Sequence, residues 1–295
     1  MPIPGMRGLR FRTLAAETIR GFYRDDMLSY SGAVAFQALY ALFPFVIVIL
    51  ALFSFFDQPQ LFESLLKWSR GVLPGEAYDE VARVVGEIRG QRQRGILSFG
   101  ILTTLWIASG GVRSVVNALN RAYEVCEGRA FWKRYLLSIA YAFATSALVV
   151  IATGLMVFGP VATDWALREI GVGAGVREAV FWLRIPLALL SAVVGVLVVY
   201  LVLPNVRQRL ALVVPGAVFT VVMWGVVSLA FRWYVNHLGS FSVTYGSVGA
   251  IIVLLTYFQL SSLILLIGGE LNAAIQRAAP RRGDAEPKEL PPEES

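Results

Sequence analysis

Six long apolar stretches organise this chain, at about 28–56, 95–119, 135–160, 181–203, 210–235 and 244–271. A helix crossing a ~30 Å hydrocarbon core needs about 20 mostly apolar residues. Each stretch is long enough. The pattern predicts an all-α, polytopic integral membrane protein with six transmembrane helices. Ahead of the first stretch, residues 9–24 place Phe11, Leu14, Ala15, Thr18 and Phe22 on one helical face, with Arg10, Glu17, Arg20 and Arg24 on the other. Two readings fit: a helix lying in the membrane plane, or a cytoplasmic helix packed on the bundle. The first loop, 57–94, predicts two short amphipathic helices from Leu61, Phe62, Leu65 and Leu66, then Tyr78, Val81, Val85 and Ile88, broken by Pro74-Gly75. The third loop, 161–180, is glycine-rich, and the tail from Pro280 has the composition of a disordered segment. The predicted organisation is an N-terminal segment 1–27, a six-helix domain 28–277 and a tail 278–295.

Polar side chains inside such spans cost free energy unless paired, so their spacing is informative. In the first span Asp26, Tyr30, Ala33, Gln37, Tyr40 and Pro44 share a face, and Pro44 predicts a kink. In the second, Ser109, Arg113, Asn117, Asn120 and Glu124 recur every three or four residues. Gly110 and Gly111 sit at the top of that stripe, where they could loosen the helix or let a neighbouring helix approach closely. In the sixth, Thr256, Gln259, Ser262 and Glu270 share a face, and Gly246 and Gly249 suit close packing. An Arg at mid-helix costs about 2.5–3.5 kcal/mol on insertion scales. Arg113 is therefore the most informative residue, and Glu270 is its expected partner. The first stripe fits either a hydrogen-bonded helix contact or a substrate-facing wall. Arg113, towards the cytoplasmic third, fits either snorkelling or a hydrated cytoplasmic groove. Its pairing with Glu270 fits either a structural ion pair that fixes the bundle or a functional one. Arg184 and Arg232, beside Trp182, Trp233 and Tyr234, fit an aromatic belt with snorkelled arginines, and the lone His237 fits the interface.

Composition strengthens the membrane reading. The chain is 57% hydrophobic and 16% charged, with a net charge of +6. The basic residues are unevenly spread. Fifteen fall in the N-terminus, the second and fourth loops and the tail, and eight in the first and third loops. The positive-inside rule then places both termini in the cytoplasm. The basic excess faces anionic lipid, and nucleic acid is not needed to explain it. Cys126 is the one cysteine, so no intrachain disulfide forms. Five arginines precede the first apolar run, which reads as an uncleaved signal anchor. No internal repeat, Walker loop, G-x-S-x-G, HExxH or mid-membrane acid is present in the sequence. The chain is expected to be non-enzymatic, with no metal and no cofactor.

Several stretches resemble the YihY/virulence factor BrkB family of bacterial inner-membrane proteins, once labelled ribonuclease BN-like. They are SYSGAVAFQALYALFP at 29–44, LWIASGGVRSVVNALNRAYEV at 105–125, Trp132-Lys133-Arg134, Tyr200 to Pro204, PGAVFTVVMWGVV at 215–227 and TYGSVGAIIVLLTYFQLSSLILLIGGELNAAI at 244–275. Gln259 stands where the family usually has aromatic residues, and Gly269 where alanine is common. The resemblance implies six spans, cytoplasmic termini and an inner-membrane location. The old label implies RNA cleavage, for which the chain lacks an acidic cluster or acid–base pair.

These readings converge on a transporter-like bundle that binds or moves a lipid, a lipid-linked precursor or another anionic amphiphile. The expected groove lies between the first, second and sixth spans. Arg113 would hold the anion, Asn117 and Asn120 would add hydrogen bonds, Glu270 would hold Arg113 when the site is empty, and Gln37, Tyr40 and Gln259 would line the path. A non-transporting scaffold is the alternative, and a membrane-embedded enzyme the third reading. Membrane lipids are the expected partners. The sequence leaves a homo-oligomer open.

Overall fold

The computed structural model describes residues 11–55, 94–144, 174–238 and 241–278. All regular structure among them is helical. Helix α1 spans Phe11–Arg24, α2 Met27–Phe55 and α3 Arg94–Ala122. Helix α4 runs over 131–144. Helices α5, α6 and α7 span Ala174–Val202, Leu210–Leu238 and Phe241–Ala278. The predicted external helices of 57–94, the third loop up to 173 and the tail from 279 lie outside the described residues.

Helices α2, α3, α5 and α6 each have 29 residues. At ~1.5 Å per residue each is about 43 Å long, more than a bilayer's hydrocarbon core. Leu210–Val235 and Ile251–Ala278 reach mean hydropathies of 2.3 and 2.2, yet only 28% and 22% of their most apolar windows is buried in the protein. A soluble core helix would hide that surface. Here Val214, Val218, Val222 and Val226 form an exposed row at four-residue spacing on α6. Leu190, Val194 and Val198 do the same on α5. Apolar rows turned outward are what a lipid solvent selects.

Among the described residues the core packs around the second half of α3 and the last turns of α7. Val115, Val116 and Leu119 of α3 pack with Tyr200, Leu203, Val213 and Ala217 of the α5–α6 pair. Met27 meets Ala118, Ala122, Leu266 and Ala273. Helix α1 lays Leu14 on Ala274 and Ile275 of α7. The apolar face predicted for residues 9–24 is thus spent on the bundle, while Ile19 and Tyr23 are exposed on the opposite side.

Helices α6 and α7 touch through glycine. A Cβ on Gly268 would meet the Thr220 and Tyr200 hydroxyls, and one on Gly216 would meet the Asn272 amide. The Gly216 N–H donates to Asn272 Oδ1 at 2.8 Å. Tyr200, fully buried on α5, shares a 2.7 Å hydrogen bond with Thr220 and donates to the Leu265 carbonyl. One phenol therefore ties three helices. Tyr200→Phe keeps the ring and removes the ties. It is expected to cost about 1–3 kcal/mol, because Thr220 and Leu265 lose a partner in a buried place. Thermal unfolding in detergent checks this, and an unchanged Tm would show that the hydroxyl contributes nothing.

Candidate functional site

The predicted groove residues fall into four local groups rather than one line. The first is the seam of α2 with α3 and α7. Gln37 packs into the notch made by Gly110 and Gly111, where an added Cβ would stand 3.0 and 3.4 Å from its side chain. The close approach expected of that glycine pair is what α2 uses. Gln259 donates to Ser31 Oγ at 2.8 Å, joining α7 to α2. Tyr40 points away, 56% exposed and stacked on Phe36. Pro44 lies within α2, and Gly249 is buried on α7. Gly246 is on α7 too, but its surroundings lie outside the described residues.

The second group joins α3 to α4. Arg113 donates to Ser109 Oγ at 2.9 Å, and its guanidinium lies 5.0 Å over the Tyr135 ring. One turn along α3, Asn117 accepts a hydrogen bond from Arg134. This corrects the expected pairing of Arg113 with Glu270. Arg113 turns towards α4, whereas Glu270 lies beneath α1 and follows Gly269, which packs on Leu119 further along α3.

Glu270 anchors the third group. It is fully buried, and neither carboxylate oxygen has a hydrogen-bond partner. Arg277 is the nearest cation, at 3.8 Å. Gly21 of α1 presses against the carboxylate, so a Cβ there would collide with it. Arg277 also donates to the Ala122 carbonyl at 2.7 Å and lies 3.6 Å from Glu124. Glu124 pairs with Arg24 at 2.8 Å. Arg24 binds Asp25 through two hydrogen bonds, which raise its guanidinium above the ordinary value. Arg121 lies 3.6 Å from the buried Asp25. Two residues depart from the predicted stripes. Asp26 (φ 53°) lies in the turn before α2, and Glu124 (φ 57°) lies past the end of α3. Glu124 occupies the left-handed position of a Schellman cap, in which Val125 N–H reaches the Asn120 carbonyl and Glu124 N–H that of Arg121. Two clefts open beside this network. Glu17, Arg20, Gly21, Arg24 and Arg277 line one of about 290 Å³. The other, about 330 Å³, is lined by Arg24, Asp25, Asp26, Ser29, Tyr30, Ala33 and Arg121.

The fourth group ties two connections together. Asn120 donates to Glu127 at 2.8 Å and accepts from the Asn205 N–H at 2.7 Å. Asn205 donates in turn to the Cys126 carbonyl at 3.1 Å. Arg129, buried, donates to the carbonyls of Leu203, Pro204 and Val202 at 3.1, 3.3 and 3.5 Å and closes the end of α5. Tyr123 donates to Gln208 at 3.0 Å, and burial raises its phenol well above the ordinary value. Sequence reasoning missed Arg129, Asn205 and Tyr200 as organising residues. The available signals were an arginine in a short turn and a tyrosine inside an apolar run. Elsewhere, His237 stacks on Trp233 and meets its carbonyl at 2.9 Å. Among the described residues no three His, Cys, Asp or Glu side chains gather as a metal-binding group.

The chain-wide comparison gives these groups a context. The pattern of the family described as virulence factor BrkB matches residues 18–292. This chain belongs to that family. Among its relatives, the ribonuclease-like protein YfkH of Bacillus subtilis is 36% identical over 84% of this chain and 90% of its own length. A UPF0761 membrane protein of Tolumonas auensis is 22% identical over 90% of this chain and 86% of its own. The UPF0761 membrane protein PSHAa0171 of Pseudoalteromonas translucida is 24% identical over 85% and 82%. No solved structure matches the chain significantly. Membership of the family and the outward apolar rows agree that this is a helical membrane protein.

Proposed function

We propose that this protein binds or moves a lipid, a lipid-linked precursor or another anionic amphiphile across a bacterial inner membrane, as a six-span bundle with cytoplasmic termini. The topology draws support from one gathering of segments. Helix α1, the α3–α4 and α5–α6 connections and the end of α7 meet at the same end of the bundle. Those segments carry Arg12, Arg20, Arg24, Arg129, Arg207, Arg209 and Arg277 of the basic residues on the predicted cytoplasmic side, and Arg121, Lys133 and Arg134 flank the α3–α4 connection.

The observation that carries the reading is the 330 Å³ cleft between the start of α2 and the end of α3. Tyr30 and Ala33, from the polar stripe of the first span, line it beside Arg24 and Arg121. The stripe continues to Gln37 in its glycine notch. A headgroup entering there would exchange Asp25 for its own oxygen at Arg121, whose side chain is 63% exposed. The groove is non-enzymatic on this reading. The ribonuclease-like name belongs to the Bacillus relative.

Movement of a fluorescent phosphatidylglycerol in proteoliposomes tests the proposal. Arg121→Gln is expected to slow movement about threefold, the effect of one exposed, screened charge. Arg121→Glu is expected to slow it about tenfold, through repulsion. If wild-type protein moves no anionic or zwitterionic lipid, the proposal fails. The scaffold reading would then lead. It has its own support: Gln259, Asn117 and Asn120 all spend their polar atoms on neighbours within the protein.

A further inference from the structure

The α3–α4 face carries two guanidiniums, those of Arg113 and Arg134, that stand beside each other's partners on the two helices. Arg24, Arg121, Arg129 and Arg277 each pair with a carboxylate among the described residues. Neither Arg113 nor Arg134 has a carboxylate partner among them. Arg113 spends one N–H on Ser109 and stacks over Tyr135. A guanidinium carries five donors. Arg134 reaches Asn117 with Nη2, while its Nε is buried without a partner. The Tyr135 hydroxyl is also buried without a partner. Two half-buried cations and an unsatisfied phenol on one helix pair are costly unless an anion completes them.

We propose that this face binds the phosphate of a phospholipid, with Arg113, Arg134 and Tyr135 as its donors. The guanidinium fork matches phosphate oxygens with parallel hydrogen bonds. The surroundings favour a lipid over a soluble phosphate ester. Trp106, Phe131 and Trp132 are all exposed beside the donors. Trp106 and Phe131 pack on the Tyr135 ring at 5.5 and 6.2 Å. Exposed aromatics next to cationic donors mark the level where headgroup meets acyl chain. The site rests on the amphiphile-handling reading only for its ligand class. It requires a bound lipid, whether or not that lipid moves.

The test is binding to full-length protein in phosphatidylcholine nanodiscs, titrated with fluorescent phosphatidylglycerol and, separately, with diacylglycerol. The double variant R113Q/R134Q is expected to weaken phosphatidylglycerol binding about tenfold or more. The charge-retaining R113K/R134K is expected to lose less, and diacylglycerol is expected to distinguish none of the proteins. Equal phosphatidylglycerol affinity in wild type and R113Q/R134Q overturns the site. So does diacylglycerol binding as tightly as phosphatidylglycerol, or millimolar glycerol phosphate displacing the lipid completely. Tyr135→Phe guards against a folding defect in the double variant. It removes one hydroxyl and is expected to weaken binding about threefold, and no change would count against the site. The transport reading is judged separately, by the Arg121 variants. Lipid movement by wild-type protein that the Arg121 variants slow, alongside unchanged R113Q/R134Q binding, removes this site and leaves that reading intact.

Discussion

Replacing Gly268 by alanine is expected to destabilise the bundle by about 3 kcal/mol, near the top of the range for overpacking. The added methyl would run into the Thr220 and Tyr200 hydroxyls and stand 2.9 Å from the Gly216 carbonyl oxygen. Backbone cannot rotate aside as a flexible side chain can. Relief would require α6 to move off α7, which would also break the Tyr200 ties to Thr220 and Leu265. Membrane helices gain little from hydrophobic association in lipid, so lost close packing is not recovered elsewhere. Gly225→Ala on α6 is the control. An added Cβ there meets nothing within 4 Å. Helix propensity alone gives that change up to about 1 kcal/mol of stabilisation. Tm measured side by side in detergent decides the matter: equal shifts for the two variants would mean that α6 and α7 are not in glycine contact.

Arg129→Ala is expected to cost about 3–5 kcal/mol, the usual penalty for removing one member of a buried charged network. Three carbonyls at the end of α5 would lose their donor, and Glu127, 3.7 Å away, would lose its counter-charge. Arg129→Lys is expected to recover less than half, because an ammonium cannot fork to three separated carbonyls. The yield of monodisperse protein from membranes and its Tm measure the effect. A variant that unfolds like wild type would show that the two connections stay together without this residue.

The helices were legible because an apolar run of more than about 20 residues has few alternatives. The Gly110–Gly111 notch was legible too, since small residues in such a run invite a neighbour. Depth along one helix did not carry over to its neighbour, since Glu270 follows Gly269 against Leu119, further along α3 than Arg113. Their directions could not be read, because a periodic pattern relates faces within one helix and says nothing of which helix each face meets. Hence Arg113 was matched with the wrong partner. Asp26 and Glu124 failed for a local reason. Both have positive φ, which takes the chain off the helical path while the spacing still suggests one. Arg129 and Asn205 act across 74 to 85 residues of sequence, so no local signal carries their role.

That long-range tie bears on how the chain is made. Arg129 comes from the α3–α4 connection and Asn120 from the last turn of α3, and their partners Leu203 and Asn205 come from the connection after α5. The two connections can join only if both emerge on the same face of the membrane. A hairpin inserted upside down would leave a guanidinium, an amide and several carbonyls stranded at the wrong surface. The clasp therefore closes only on a chain threaded with both connections on one face.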